Sequence, residues 1–154
     1  MIKLDAIDKQ LLEMLQNDSN TNVKVLADKL NLTKTPIYDR IKRYEKEGLI
    51  DKYVEVLNKE KIEHFMVVFC SVSLESQKLE AIEDFSKEVA VIPEVLECYL
   101  MGGANDFLLK VVVKDLQDYH LFSTGKLAAL PNVSQIKSTF VLNEIKHATV
   151  IPMY

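Results

Sequence analysis

Residues 34–46 concentrate positive charge in a chain that is acidic as a whole. Five basic side chains lie in this segment against two acidic ones, Asp39 and Glu45, so its local charge is +3, whereas the 154-residue chain has a formal net charge of −4. Lysine and arginine neutralise nucleic-acid phosphates, and for such contacts the local field matters more than the net charge. Thr35 and Tyr38, near the start of the segment, could hydrogen-bond to base edges. The segment therefore predicts a contact with double-stranded DNA.

The spacing of apolar residues predicts that this basic segment is a helix with one outward face. Ile37, Ile41 and Tyr44 recur at helical intervals and are expected to face a core, which leaves most of the basic residues on the opposite side. The alternative is a merely solvated helix, which would tend to pair acidic with basic side chains four residues apart. The candidate DNA-binding residues are Lys34, Thr35, Tyr38, Asp39, Arg40, Lys42, Arg43 and Lys46.

Two further helices are expected before this one. The first begins at Asp5, a candidate N-cap, and ends near Asn17, and a short second helix follows Asn22. Thr33 is the candidate N-cap of the third helix, and Gly48 is its candidate C-cap. Three short helices with a tight turn between the second and the third are typical of the helix-turn-helix motif, in which the last helix enters the major groove.

The second half of the chain predicts strands and helices in the order βαββαβ. Strands are expected at residues 65–75, 95–101, 107–114 and 134–142, with helices at residues 76–90 and after Asp115. This order is the ferredoxin-like arrangement, whose sheet has the strand order 4-1-3-2. The fold class is therefore α+β, an N-terminal helix-turn-helix domain of the winged-helix-like type followed by a C-terminal ferredoxin-like domain.

The first predicted strand is apolar on both of its faces. One face holds Met66, Val68, Cys70, Val72 and Leu74, and the other holds Phe65, Val67 and Phe69. Two helices can cover only one face, so a second copy of the same sheet is the simplest cover for the other. The sequence therefore predicts a homodimer.

Cysteine and histidine usage argues against metal and disulfide chemistry. Cys70 and Cys98 lie in strand-like apolar runs that are not neighbours in the expected sheet, so both are expected to be buried reduced thiols. His64, His120 and His147 are scattered, and neither cysteine has a second ligand at metal spacing. No run approaches the roughly 20 apolar residues of a membrane span, and the N-terminus lacks a signal-peptide core, which predicts a cytoplasmic protein with no membrane contact.

The sequence resembles the leucine-responsive/asparagine regulator (Lrp/AsnC) family of transcription regulators over nearly its whole length. The stretches similar to the helix-turn-helix half of the family are Leu4–Asp18, Leu26-Ala27, Leu32-Thr33 and Pro36–Ile50. The stretches similar to its ligand-sensing half are Gly102–Leu109 and Leu127–Val133. The chain departs from the family pattern at Asn20, where Arg is frequent, at Tyr44, where Leu is frequent, and at Glu63, where Gly is common.

The resemblance implies a sequence-specific transcription regulator without catalytic residues or a cofactor, whose DNA binding or assembly responds to a small molecule, expected to be an amino acid. It also implies a homodimer that often assembles further, for example into an octamer. From the residues themselves, Tyr53–Leu57 is expected to form a short strand and Asn58–Glu63 a polar hinge. The expected domains are therefore residues 1–52 for DNA binding, 53–63 for the linker strand and hinge, and 64–154 for ligand sensing and oligomerisation.

The resemblance also places the amino-acid pocket at the loop after the second strand. Glycine amides there could hold a carboxylate, and Asp106 could hold an ammonium group. The alternative is an ordinary hairpin turn, in which the same residue types are common. The candidate ligand-binding residues are Leu100, Gly102, Gly103, Ala104, Asn105, Asp106, Thr139 and Phe140.

Two other functions compete with DNA-dependent regulation. Some proteins of this fold resemble sirohaem decarboxylases, but the only two arginines of the chain, Arg40 and Arg43, lie in the third helix, which leaves none for a tetrapyrrole in the second domain. No Ser/His/Asp or Cys/His set and no phosphate-binding glycine loop is discernible. The other competitor is a binding module whose helix-turn-helix contacts only proteins, and the basic outward face argues against it.

Overall fold

The computed structural model describes residues 2–154, apart from the side chain of Glu60, and these residues form two compact units. The first unit contains the residues up to Val56 together with Lys146–Tyr154, and the second contains Leu57–Ile145. The last nine residues thus group with the first unit, whereas the sequence analysis placed them in the expected domain of residues 64–154. Their contacts explain the difference, because Ile151 and Gln16 exchange two hydrogen bonds, and Met153 packs against the core of the first unit.

The first unit contains the three expected helices, α1 (Ala6–Asn17), α2 (Val23–Lys29) and α3 (Lys34–Lys46). Their inward faces share one apolar core, which includes Leu11, Leu26, Ile37 and Tyr44, each at most 1% exposed. Removing such contacts from water is the main favourable term that holds three short helices together, since helices of this length are marginal alone.

The helix boundaries follow from their capping residues. Asp5 caps α1 in a capping box, in which its carboxylate accepts from the Asp8 amide at 2.7 Å and the Asp8 carboxylate accepts from the Asp5 amide at 3.0 Å. Asn22 caps α2 by accepting from the Lys24 amide at 2.8 Å. Thr33 is the N-cap residue of α3 but makes no side-chain capping bond, and Gly48 follows that helix with a left-handed φ of 69°.

Residues 51–58 form no regular secondary structure, so the strand expected at Tyr53–Leu57 is not formed. An isolated strand leaves its amides and carbonyls unpaired, and no described residue pairs with this segment in a ladder. Val54, Val56 and Leu57 remain more than half-exposed. A single 3₁₀ turn, Lys59–Lys61, follows.

The second unit has the predicted ferredoxin-like order. Its elements are β1 (Met66–Leu74), α4 (Leu79–Ala90), β2 (Val95–Leu100), β3 (Phe107–Val113), α5 (Leu116–Phe122), which continues as a π-helical turn (Ser123–Leu127), and β4 (Val133–Phe140). All neighbouring strands are antiparallel and lie in the order β2-β3-β1-β4, which confirms the predicted order 4-1-3-2.

The core of the second unit lies on one face of this sheet. The alternate residues Val68, Cys70 and Val72 of β1 are fully buried there, beneath side chains that include Phe85 of α4. On the opposite face, Val67 and Phe69 are only half-buried. The alternation confirms the predicted division of the strand into two apolar faces, one of which the described helices leave open.

The prediction that both cysteines are buried is wrong for one of them. Cys70 is buried, whereas Cys98 is exposed, and both thiols are free. Cys98 lies on β2, opposite Leu109 of β3. Because β2 is an edge strand of the sheet, fewer neighbours surround Cys98 than surround the residues on the same face of the central strands.

None of the helices in residues 2–154 is long and apolar enough to cross a membrane.

Candidate DNA-binding and ligand-binding sites

The exposed face of α3 carries most of the predicted DNA-binding residues. Ile37 and Tyr44 are fully buried, which confirms the predicted inward face. Tyr38, by contrast, is 53% exposed although it is a large aromatic residue. The exposed candidates are Lys34, Thr35, Tyr38, Asp39, Lys42 and Lys46. The structure therefore brings six of the eight candidates onto one surface and draws the two arginines partly away from it.

Lys42 is held at the surface by neighbouring groups of the first unit. Its Nζ lies 2.7 Å from Glu45 Oε2 and 5.7 Å from the centre of the Tyr38 ring. Glu45 also accepts a hydrogen bond from the Tyr53 hydroxyl at 3.0 Å. Such exposed ion pairs contribute only about 0.2–1 kcal/mol. The Lys42 ammonium can therefore exchange this partner for a phosphate at little cost.

Arg40 and Arg43 converge on Asp8 of α1. Arg43 Nη2 lies 2.8 Å from Asp8 Oδ1, the Tyr44 hydroxyl donates to the same oxygen at 2.5 Å, and Arg40 Nη1 also donates to it. Arg40 Nη1 further lies 2.8 Å from Asp5 Oδ2. Asp8 is only 2% exposed, so a buried carboxylate connects the start of α1 to three residues of α3.

No role was predicted for Asp8 from the sequence, although a signal for its burial is present. Asp8 precedes Leu11, Leu12 and Leu15 by three, four and seven residues, which places it within the apolar stripe of α1. An acidic residue in such a stripe is rarely buried without a partner of opposite charge. The chain has two arginines, and both serve as partners of Asp8.

Asp8 is charged throughout the neutral pH range. Burial alone raises the pKa of this carboxyl, but hydrogen bonds from Tyr44, the Asp5 amide and the two arginines outweigh burial and hold the pKa well below its usual value. The same contacts raise the pKa of Arg40 despite its partial burial.

We expect the first unit to lose stability as the pH falls below about 4, the usual pKa of an aspartate in an unfolded chain. Because the folded-state pKa of Asp8 is depressed, its stabilisation is complete above that pH, and each further unit of acidification removes about 1.4 kcal/mol until the folded carboxyl is protonated. Thermal unfolding followed by circular dichroism between pH 7 and pH 3 measures the loss. Asp8→Asn should flatten the profile, whereas Asp39→Asn, on the exposed face of α3, should not. An unchanged profile for Asp8→Asn would contradict the assignment.

The loop between β2 and β3 is closed by backbone hydrogen bonds. The Met101 amide donates to the Asp106 carbonyl at 2.8 Å, and the Asp106 amide donates to the Val72 carbonyl at 3.0 Å. Gly102 and Gly103 have φ values outside the left-handed region, and a Cβ added to either would meet no atom within 4 Å. Neither the backbone conformation nor packing within the chain therefore requires glycine at these two positions.

The carboxylate of Asp106 already has a partner within the chain. Its Oδ2 accepts from the Leu74 amide at 2.7 Å and lies 3.3 Å from Gln77 Nε2. Asp106 thus ties the loop to the end of β1, a structural role that the sequence did not indicate. This contact leaves the other carboxylate oxygen for any further partner.

The remaining ligand-site candidates lie apart from this loop. Leu100 ends β2 beside it, opposite Phe107, but Thr139 and Phe140 lie on β4 at the other edge of the sheet. Thr139 is opposite Phe69 on the open face, whereas Phe140 is on the helix-covered side with its ring 5.1 Å from that of Tyr119. Within one chain, neither Thr139 nor Phe140 lines a pocket with the loop.

Comparison with protein-family models identifies both halves of the chain. Residues 4–51 match the model for winged helix-turn-helix DNA-binding domains, and residues 67–151 match the model for the Lrp/AsnC ligand-binding domain. Among curated relatives, the Bkd operon transcriptional regulator of Pseudomonas aeruginosa is 37% identical over 153 residues, which cover 99% of this chain and 100% of that protein. The leucine-responsive regulatory protein of Haemophilus influenzae is 32% identical over 148 residues, with 96% and 89% covered.

Solved structures show the same similarity in three dimensions. A transcriptional regulator from Neisseria meningitidis, solved as a complex with L-Met, has a TM-score of 0.89 and 31% identity, with 97% of both chains covered. An AsnC family transcriptional regulator from Agrobacterium tumefaciens has a TM-score of 0.89 and 36% identity, also with 97% of both chains covered. Because 97% of this chain is covered in both comparisons, the similarity extends over both units.

Proposed function

Because the chain belongs to the Lrp/AsnC family of transcription regulators, we propose that it reads double-stranded DNA with the exposed face of α3 and responds to an amino acid bound by its second unit. Like its curated relatives, the chain is a DNA-binding transcription regulator and not an enzyme. The observation that supports the DNA-binding surface is the outward placement of hydroxyl and basic groups on a helix whose inward face is packed. A regulator of this kind acts where DNA lies, so we expect it in the cytoplasm.

Each position on α3 suits one kind of DNA contact. Thr35 and Tyr38 lie in the first turns of the helix, the part that reaches base edges in this motif. Lys42 and Lys46 lie further along, where they can contact phosphates. Asp39 is exposed between the two groups and can accept a hydrogen bond from a cytosine amine.

We expect substitutions on α3 to separate into two classes. Lys42→Ala and Lys46→Ala should weaken binding to all duplexes by a similar factor and reduce the salt dependence, because each removes a phosphate contact. Thr35→Ala or Tyr38→Ala should instead change the preference among duplexes by about 1–3 kcal/mol for each lost base contact. Fluorescence anisotropy titrations at several salt concentrations distinguish the classes.

Lys87→Ala, which removes an exposed lysine of α4 in the second unit, is the control and should retain wild-type affinity and salt dependence. If all four α3 substitutions leave affinity unchanged, α3 is not the DNA-binding helix. A protein that only contacts other proteins through this helix would show no steep dependence of duplex binding on salt.

The amino-acid site is proposed at the loop of residues 102–106. The structure of the Neisseria meningitidis regulator with L-Met supports an amino-acid effector. Gly102 and Gly103 are exposed residues whose amides suit a carboxylate, and the remaining oxygen of Asp106 suits an ammonium group. Because Thr139 and Phe140 lie at the opposite sheet edge, they can contribute only if a second copy brings its β4 to this loop.

The proposed assembly begins with a homodimer. The open face of the sheet carries the half-buried apolar residues Val67, Phe69, Leu108 and Val112, which a second sheet would remove from water. A ligand site shared between copies then requires further association of dimers, for example into an octamer.

A further inference from the structure

We propose that Asp8 is a positioning residue for DNA recognition, which fixes the rotation of α3 so that Thr35 and Tyr38 meet base edges in one register. This proposal rests on the DNA-binding role of α3. It assigns a DNA-related role to a residue of α1 that is buried and does not itself reach DNA.

The geometry indicates that Asp8 orients α3 and does more than stabilise the fold in general. Arg40, Arg43 and Tyr44 are spaced by three and four residues, so they lie on one face of α3, and all three donate to the same oxygen, Asp8 Oδ1. The other oxygen, Oδ2, accepts from the Asp5 amide at 3.0 Å at the start of α1. The carboxylate therefore connects one end of α1 to a defined face of α3.

Fixing the face of α3 that carries Arg40, Arg43 and Tyr44 also fixes the direction of the opposite, exposed face. Successive residues of an α-helix are about 100° apart, so Tyr38 projects about 200° from Arg40 around the axis. Apolar packing of Ile37 alone allows a helix to rotate or slide by a fraction of a turn, because hydrophobic contacts are not directional. Hydrogen bonds to one buried oxygen are directional and oppose such movement.

The same contact restrains the two arginines electrostatically. Asp8 and Asp5 lie within ion-pair distance of Arg40, and Asp8 also pairs with Arg43. These cations are therefore largely neutralised in the folded unit and add little to sequence-independent attraction for phosphates. Removing the Asp8 charge would free them while loosening the helix that reads sequence.

Asp8→Asn should therefore have an effect opposite to that of general destabilisation. The probes are a duplex that the wild-type protein selects from a random-sequence pool and a duplex of the same composition in scrambled order. We expect the preference for the selected duplex to fall by about tenfold or more, while affinity for the scrambled duplex is retained or increases and its salt dependence becomes steeper. Anisotropy titrations of the full-length protein at several salt concentrations provide these values.

The matched control is Asp5→Asn, which changes the net charge equally. Asp5 is 53% exposed, pairs only with Arg40 among the α3 residues, and as Asn retains an N-capping side chain. This variant should keep the wild-type preference within about twofold, since Asp8 still holds all three donors. Tyr44→Phe, which removes a single donor and keeps the ring, should lower the preference by a smaller factor than Asp8→Asn.

Circular dichroism reports whether each variant is folded. If Asp8→Asn is folded and binds both duplexes more weakly by one common factor, or keeps the wild-type preference, the proposal is wrong. If Asp8→Asn does not fold, Tyr44→Phe decides, and an unchanged preference in that variant overturns the proposal. A wild-type protein that enriches no sequence from the pool would instead refute the proposed DNA-reading function, and the role of Asp8 would fail with it.

Discussion

Phe69→Asp is expected to yield monomers in place of the assembled protein, or to prevent folding of the second unit. Phe69 lies near the middle of β1, on the face of the sheet that α4 and α5 do not cover. A carboxylate there would be carried into the proposed seam between two sheets, where a charge without a partner is strongly destabilising. Its direct neighbour Lys110 cannot compensate easily, because Lys110 already pairs with Glu97 at 2.8 Å.

Light scattering at micromolar concentration measures this effect as a fall in molecular mass to that of one chain. Phe69→Leu keeps an apolar side chain at the same position and should retain the wild-type mass. Circular dichroism distinguishes a folded monomer from an unfolded chain. A wild-type protein that is itself a well-folded monomer under these conditions would refute the proposed dimer.

Loss of the effector response is the expected result of Asp106→Ala. A thermal-shift screen of the twenty amino acids identifies the effector, because a ligand that binds only the folded state raises the unfolding temperature. For wild type, the effector should change DNA affinity by about 5–150-fold, the range typical of allosteric coupling. The variant should lose this change but keep the DNA affinity of the unliganded protein, since Asp106 and α3 belong to different units.

The structure adds a second variant to this test. Asp106 accepts from the Leu74 amide, so Asp106→Ala also removes a bond that closes the loop. Asp106→Asn keeps a side-chain acceptor for that amide and removes only the charge, and it should lose the response equally if the carboxylate binds an ammonium group. Gln77→Ala removes the other neighbour of Asp106 and should respond normally. If both Asp106 variants respond fully to the effector, Asp106 only ties the loop to β1. If no amino acid changes the stability or the DNA affinity of the wild-type protein, the proposed sensing role is wrong.

The first unit could be predicted to the extent that its structure follows from local spacing. The stripe of Ile37, Ile41 and Tyr44 was sufficient to orient α3, and Asp5 and Asn22 were sufficient to start two helices. The partners of Arg40 and Arg43 were not predicted because Asp8 lies 32 and 35 residues earlier in the chain. A local pattern indicates which face a residue occupies, but not which distant residue it meets.

The ligand-sensing unit shows the same limit in a different form. Alternation along β1 predicted its buried face and the strand order followed from the element order, since both depend on regular geometry. Thr139 and Phe140 came from family resemblance, and as adjacent residues of a strand they point to opposite faces of the sheet. The strand expected at Tyr53–Leu57 did not form because β-structure depends on a partner that the local sequence does not specify.

The return of residues 146–154 to the first unit affects the order in which the protein can be completed during synthesis. The chain emerges from the ribosome N-terminus first, so the three helices appear before the sheet, yet the segment that contains Ile151 and Met153 appears after it. Until then, the surface of α1 that receives this segment remains open, and Gln16 lacks the backbone groups it later bonds. The DNA-binding unit is therefore completed only after the ligand-binding unit has been made. This order disfavours a nascent chain that could bind DNA before it can respond to an effector.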